Sequence, residues 1–241
     1  MIKKNILITG GTSGIGLGIS NAMSSNYCLV NLSRSRPQKD IAHYFSDSLE
    51  IDLSCGEKKI KEALKLLKSQ GKIFDGLIGC SGMQKISSIV SLKEKDLLEL
   101  FQLNLFSNVF LLKNMLRLGL LSKGASVVFL SSISSEKPDV GMSAYSMSKA
   151  SIDNFVKVAA AECAERQIRV NSIRSGLIHT PMISKERAYS ERFFETEAPK
   201  YKLGIGKVDY IANLVEFLIS DYGVWITGQN ITIDGGRGLS Q

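Results

Sequence analysis

Cysteine, histidine, proline and tryptophan are all scarce in this chain of 241 residues, which holds four, two, four and one of them. Cys28, Cys55, Cys80 and Cys163 stand apart without paired or metal-ligand spacing, so free thiols in a reducing cytosol are expected rather than a disulfide framework. His43 and His179 lie away from any cysteine cluster, and no metal site is expected. No Pro/Ser-rich linker, repeat or low-complexity stretch divides the chain, so a single domain over residues 1–241 is expected. No apolar run approaches the length of a membrane span. The opening residues Met1 to Gly10 reach glycine after a handful of apolar positions and read as a first strand, not a secretory signal. The net charge is +7. Its lysines (Lys58, Lys59, Lys61, Lys65 and Lys68 among them) spread over a helical surface and are not interleaved with aromatics. Neither nucleic acid nor membrane is therefore an expected partner. A solvated basic surface with some affinity for anionic substrates or carriers is.

What is present is regular alternation. Short apolar runs read as strands at Ile6–Thr9, Cys28–Ser33, Leu49–Asp52, Gly76–Cys80, Ser126–Ser131, Arg169–Ile173 and Asn230–Asp234. Amphipathic stretches between them read as helices at Ile15–Ser25, Glu57–Ser69, Lys93–Leu118, Ala144–Glu165 and Val208–Ser220. Near-continuous apolar strands alternating with helices imply a parallel sheet covered on both faces. The expected fold is an α/β, Rossmann-type, doubly wound sheet of about seven strands. Right-handed crossovers place the strands' carboxyl ends on one edge, where ligands bind. Gly10, Ser33, Asp52, Gly82 and Ser132 all fall at that edge.

Two motifs carry chemistry. After the first strand, Thr9-Gly10-Gly11-Thr12-Ser13-Gly14-Ile15-Gly16 runs into a helix. Its glycines permit a tight turn and close backbone approach to a pyrophosphate, which free amides and the helix dipole favour. The spacing is Gly-x-x-x-Gly-x-Gly, not the usual dinucleotide fingerprint, and a turn that binds nothing is the plainer alternative. Further on, Ser131 to Ser135 precede Ala144-Tyr145-Ser146-Met147-Ser148-Lys149. Tyr145 and Lys149 are four residues apart and share one helix face. A free phenol titrates near ~10, and a neighbouring ammonium favours the phenolate, bringing it closer to the range useful for general acid–base work. Ser132 can hold a carbonyl oxygen within reach. Taken alone, Tyr-x-x-x-Lys occurs by chance on many helices.

Together, in this order, these residues resemble the short-chain dehydrogenase/reductase family over essentially the whole chain, most closely in pattern its 3-oxoacyl-carrier-protein reductases. The resemblance implies a catalytic set of Ser132, Tyr145, Lys149 and Asn104. In it Tyr145 is the acid of carbonyl reduction, Lys149 tunes it and holds the nicotinamide ribose, Ser132 polarises the substrate oxygen and Asn104 anchors a relay water. It implies cofactor contacts from Gly10, Thr12, Ser13, Gly14, Ile15 and Gly16 in the turn, and from Ser33 and Arg34 after the second strand. Asp52 (facing adenine) and Leu53, Ser81 and Gly82, and Gly176, Ile178 and Thr180 complete the set, with Tyr145 and Lys149 shared. Two departures stand out: the family's Asn-Asn-Ala-Gly is here Gly79-Cys80-Ser81-Gly82, and its Pro-Gly after the sixth strand is Ser175-Gly176. Cys80 is read as a buried, inert thiol.

NAD-using members of that family end the second strand with an acid that binds ribose hydroxyls and repels a 2′-phosphate. Here the strand ends Asn31-Leu32-Ser33-Arg34-Ser35-Arg36, without one. Hydroxyls and guanidinium groups suit a phosphate. NADP(H) is the expected cofactor, with NAD(H) the alternative. The expected activity is hydride transfer between the nicotinamide and a ketone or secondary alcohol. The substrate class is a small or carrier-linked ketone such as a 3-oxoacyl thioester, or else a sugar, polyol or specialised metabolite. A catalytically silent cofactor-binding sensor or scaffold is the third reading. Residues 181–206, with Tyr189, Phe193, Phe194 and Tyr201, are expected to form a substrate lid that orders on binding. Surplus apolar positions at Leu105, Phe106, Val109, Phe155 and Val158 point, with the resemblance, to a cytoplasmic homotetramer.

Overall fold

Alternation of short apolar strands with amphipathic helices closes into one seven-stranded parallel sheet in the order β3-β2-β1-β4-β5-β6-β7. The structure is a computed structural model that describes residues 3–180 and 195–239. The strands are β1 (Lys4–Thr9), β2 (Tyr27–Ser33), β3 (Asp47–Glu50), β4 (Phe74–Gly79), β5 (Leu121–Ser132), β6 (Arg169–Ser175) and β7 (Asn230–Ile233). The principal helices are α1 (Gly14–Met23), α2 (Glu57–Ser69), α3 (Glu94–Phe101), α4 (Ser107–Leu118), α5 (Ser143–Cys163) and α6 (Val208–Ile219).

Successive strand residues point to opposite faces, so each strand feeds two cores. Leu7, Val30, Leu77, Val127, Phe129 and Val170 pack under α2, α4 and α5. Ile6, Ile8, Leu29, Ile78, Val128 and Ile173 pack under α1 and α6. That two-sided burial is why the strands read as nearly continuous apolar runs. The order reverses between β1 and β4, which pair directly. A crevice opens there at the carboxyl ends, the usual switch-point location for ligands.

The structure departs from the sequence reading in two places that bear on the site. Lys93–Leu118 is one helical run from Glu94 onward but not α-helical throughout: a π-helical turn over Gln102–Phe106 joins α3 to α4. Asn104 sits in that turn with no exposure, and its side chain bonds outside the helix, which accommodates the extra residue. The third strand ends at Glu50 rather than Asp52, because the Asp52 carboxylate accepts from the Ser54 amide and hydroxyl at 2.9 and 2.7 Å and starts a new turn. Residues 181–194, most of the expected lid with Tyr189, Phe193 and Phe194, lie outside the described residues. No helix among the described residues is long and apolar enough to cross a membrane.

Candidate active site

The turn between β1 and α1 is shaped by what its glycines exclude. Gly14 adopts φ +53°, a left-handed conformation costly for other residues. A Cβ at Gly16 would lie 2.2 Å from the Gly10 carbonyl oxygen, so only glycine fits where the helix begins. The Ser13 side chain does not cap α1. The first-turn amides thus face the crevice, an arrangement suited to a pyrophosphate. Across the crevice, Thr9 Oγ1 accepts from the amides of Cys80 and Ser81, both at 3.1 Å, and fixes the loop after β4 against the turn. Thr9 heads the glycine motif in the sequence, but nothing there assigns its hydroxyl this bracing role. At the Gly79 departure, a side chain would come within 2.5 Å of both Asn108 and Phe129, which occupy that space.

These walls bound a cleft of about 630 Å³. It brings together Gly10, Thr12, Ser13, Gly14, Ile15 and Gly16 with Ser33, Arg34, Leu53, Ser81, Gly82, Tyr145, Lys149 and Thr180. Asp52 is exposed at its edge, its carboxyl held below the usual range chiefly by the Ser54 hydroxyl and turned to Ser54 rather than lining the cleft. Gly176 and Ile178 line a separate apolar cavity of about 430 Å³ against α6. Ile178 is buried among core residues, and a Cβ on Gly176 would lie 2.9 Å from the Asp234 backbone. The cleft also takes in Ser35, Arg36, Gln38, Ile41, Met83 and Leu103. Ser35 and Arg36 belong to the run after β2 whose hydroxyls and guanidinium groups suit a phosphate, whereas Gln38, Ile41, Met83 and Leu103 carry no motif, because loops that wrap a ligand contribute by position rather than by pattern.

The catalytic candidates sit where β5 meets α5. Lys149 is 6% exposed; its ammonium donates to the Leu130 carbonyl oxygen at 2.8 Å and lies 5.7 Å from the centre of the Tyr145 ring. Burial brings the Lys149 pKa down from 10.5 to about 8, against the opposing pull of Asp153 and Cys80. Ser131 Oγ donates to the Lys149 main-chain oxygen at 3.3 Å, tying helix to strand. Ser132 Oγ accepts from the Ser134 amide at 3.1 Å, which spends a lone pair and leaves the hydroxyl proton to donate. Asn104 is fully engaged: Oδ1 accepts from the Met83 amide at 2.8 Å, and Nδ2 donates to the Met83 oxygen at 2.9 Å and to Ser148 Oγ at 3.0 Å. Its main-chain oxygen accepts from Asn108 Nδ2 at 2.8 Å. It therefore laces the loop after β4 to α5. Cys80 lines the cleft, but burial pushes its thiol up to about 12, so it is no nucleophile at neutral pH.

Comparison with known proteins agrees with this geometry. A family model described as enoyl-(acyl carrier protein) reductase matches residues 10–237. The chain is 30% identical to carbonyl reductase family member 4 of Danio rerio, covering 97% of each. It is 31% identical to a 3-oxoacyl-[acyl-carrier-protein] reductase of Thermotoga maritima, again covering 97% of each. A short-chain dehydrogenase family protein from Francisella tularensis superposes with a TM-score of 0.89 at 27% identity, over 99% of this chain and 100% of that one. Ser132 and Asn104 are not among the residues lining the cleft, Ser132 standing at the end of β5 beside Ser131, which is. Glycine turn, Tyr145 and Lys149 share the one switch-point cleft, and the chain belongs to the short-chain dehydrogenase/reductase family of nicotinamide-dependent oxidoreductases.

Proposed function

We propose that this enzyme is a reductase that prefers NADPH and acts on a ketone, with a 3-oxoacyl thioester as the leading substrate class. The observation that carries the reading is that Tyr145 and Lys149 line the same cleft as the glycine turn and Arg34. The turn fits a dinucleotide: the close approach at Gly16 and the free amides of α1 suit a pyrophosphate. Arg34, exposed on the cleft wall without an acid beside it on β2, suits a 2′-phosphate. When bound, the nicotinamide supplies the hydride.

The protein's own groups then handle the proton. Ser132 Oγ donates to the substrate oxygen and polarises the carbonyl. Tyr145 Oη gives that oxygen its proton during reduction and recovers it in the reverse direction. The Lys149 ammonium beside the ring favours the phenolate, and its burial strengthens the effect by lowering the local dielectric. Asn104 acts by positioning, since both ends of its amide are committed to Met83 and Ser148. An intact Ser132, Tyr145 and Lys149 set weighs against a silent sensor or scaffold.

A cytoplasmic homotetramer belongs to the same proposal. Phe106 and Val158 are exposed on α4's flank and α5, in keeping with burial against another copy, whereas Leu105 and Phe155 pack onto the core. Light scattering giving a monomer mass at micromolar concentration would remove that part. Substrate class is tested by following reduced-nicotinamide absorbance with acetoacetyl thioesters and a panel of keto-sugars. A carrier-linked thioester should win, with an advantage that falls at high salt because an acidic carrier meets a net positive surface. Faster turnover of keto-sugars would transfer the assignment to sugar or polyol chemistry.

A further inference from the structure

Asn31 has no exposure, yet its side-chain amide makes three hydrogen bonds beside the cleft. Oδ1 accepts from the Gly11 amide at 3.1 Å, so the glycine turn rests on it. A Cβ at Gly11 would lie 2.9 Å from that oxygen and 2.9 Å from Ser20 Oγ, so the turn is seated tightly. The two Nδ2 hydrogens go to Ser33 Oγ at 2.8 Å and Ser48 Oγ at 3.0 Å. Ser33 Oγ in turn donates to the Ser35 carbonyl oxygen at 2.7 Å. One chain of hydrogen bonds thus runs from the pyrophosphate turn to the segment bearing Arg34 and Arg36.

This alters the role of Ser33. Its proton is spent on Ser35, so it has only lone pairs to offer, and these repel a phosphate oxygen. The phosphate donors of this segment are then guanidinium and backbone groups, with Arg36 already drawn toward Glu50 at 3.7 Å. We infer that Asn31 and Ser33 are positioning residues: as one unit they fix the Arg34 segment relative to the glycine turn and set how sharply a 2′-phosphate is distinguished from a plain ribose. The inference rests on the NADP(H) reading given above.

The test measures dissociation constants for NADPH and NADH by fluorescence titration in wild type, Ser33→Ala, Ser33→Thr, Asn31→Ser and the Asn31→Ser/Ser33→Ala double variant. Thermal melting of each checks folding. Ser33→Ala should weaken NADPH by about tenfold and NADH by no more than about twofold, the scale of one lost polar contact. Ser33→Thr, which keeps the hydroxyl, should restore the ratio. Asn31→Ser should weaken both cofactors, and adding Ser33→Ala to it should leave the ratio unchanged because the unit is already broken. Equal losses for both cofactors in Ser33→Ala, or additive losses in the double variant, would overturn the inference. A wild type that binds NADH more tightly than NADPH would instead overturn the cofactor reading. The change in ratio on Ser33→Ala still decides the coupling in that event.

Discussion

Replacing Lys149 by methionine should make the protein more stable at neutral pH while removing its activity. Lys149 is 6% exposed, and burial moves its pKa from 10.5 to about 8. At ~1.4 kcal/mol per pH unit, holding that charge in the folded state costs about 3 kcal/mol at pH 7. Methionine fills similar volume without a charge. It gives up the hydrogen bond to the Leu130 oxygen, worth about 1–2 kcal/mol. The net gain is therefore about 1–2 kcal/mol at pH 7. The sign with pH follows from the depressed pKa. Between pH 8 and 10.5 the unfolded chain binds the lysine proton more than the folded one does, so the wild type gains stability as pH rises through that window. The methionine variant lacks this group, and its advantage should narrow by about 2 kcal/mol between pH 7 and 9.5. Thermal unfolding of both proteins without cofactor, at several pH values, measures the gap directly. A variant that is less stable at pH 7, by a margin that does not change with pH, would refute the reasoning.

Tyr145→Phe should lower turnover at least ~100-fold while leaving NADPH affinity nearly unchanged, since only the transferable proton is lost; retained turnover would overturn the assignment. Arg34→Asp should weaken NADPH and move preference toward NADH, because a carboxylate repels the 2′-phosphate and accepts ribose hydroxyls; titration of both cofactors measures it, and an unchanged ratio would sink the phosphate-clamp argument. Gly16→Ala should reduce affinity for both cofactors by more than ~10-fold, because its Cβ would meet the Gly10 oxygen at 2.2 Å and reshape the turn; wild-type affinity in calorimetry would show that the turn tolerates a shift.

The sequence by itself determined what depends on short-range pattern. Apolar runs such as Ile6-Leu7-Ile8 and Val127-Val128-Phe129 specify two-faced strands, and their alternation with amphipathic stretches specifies the parallel sheet. The four-residue step from Tyr145 to Lys149 is a property of the helix alone, and the glycines at 10, 14 and 16 announce a turn whatever surrounds it. Tertiary structure decided the rest. It set the depth at which Lys149 is buried, through a carbonyl on β5, and took Asp52 out of the cleft wall by giving its carboxylate to Ser54. It widened the helix into a π-turn at Asn104, whose amide holds Met83 and Ser148, and it joined Gly11 to Ser35 through Asn31 and Ser33. Burial and hydrogen-bond choice belong to groups brought together from distant parts of the chain. They exist only once the strands have paired, which is why periodicity and spacing carry the architecture but not these contacts.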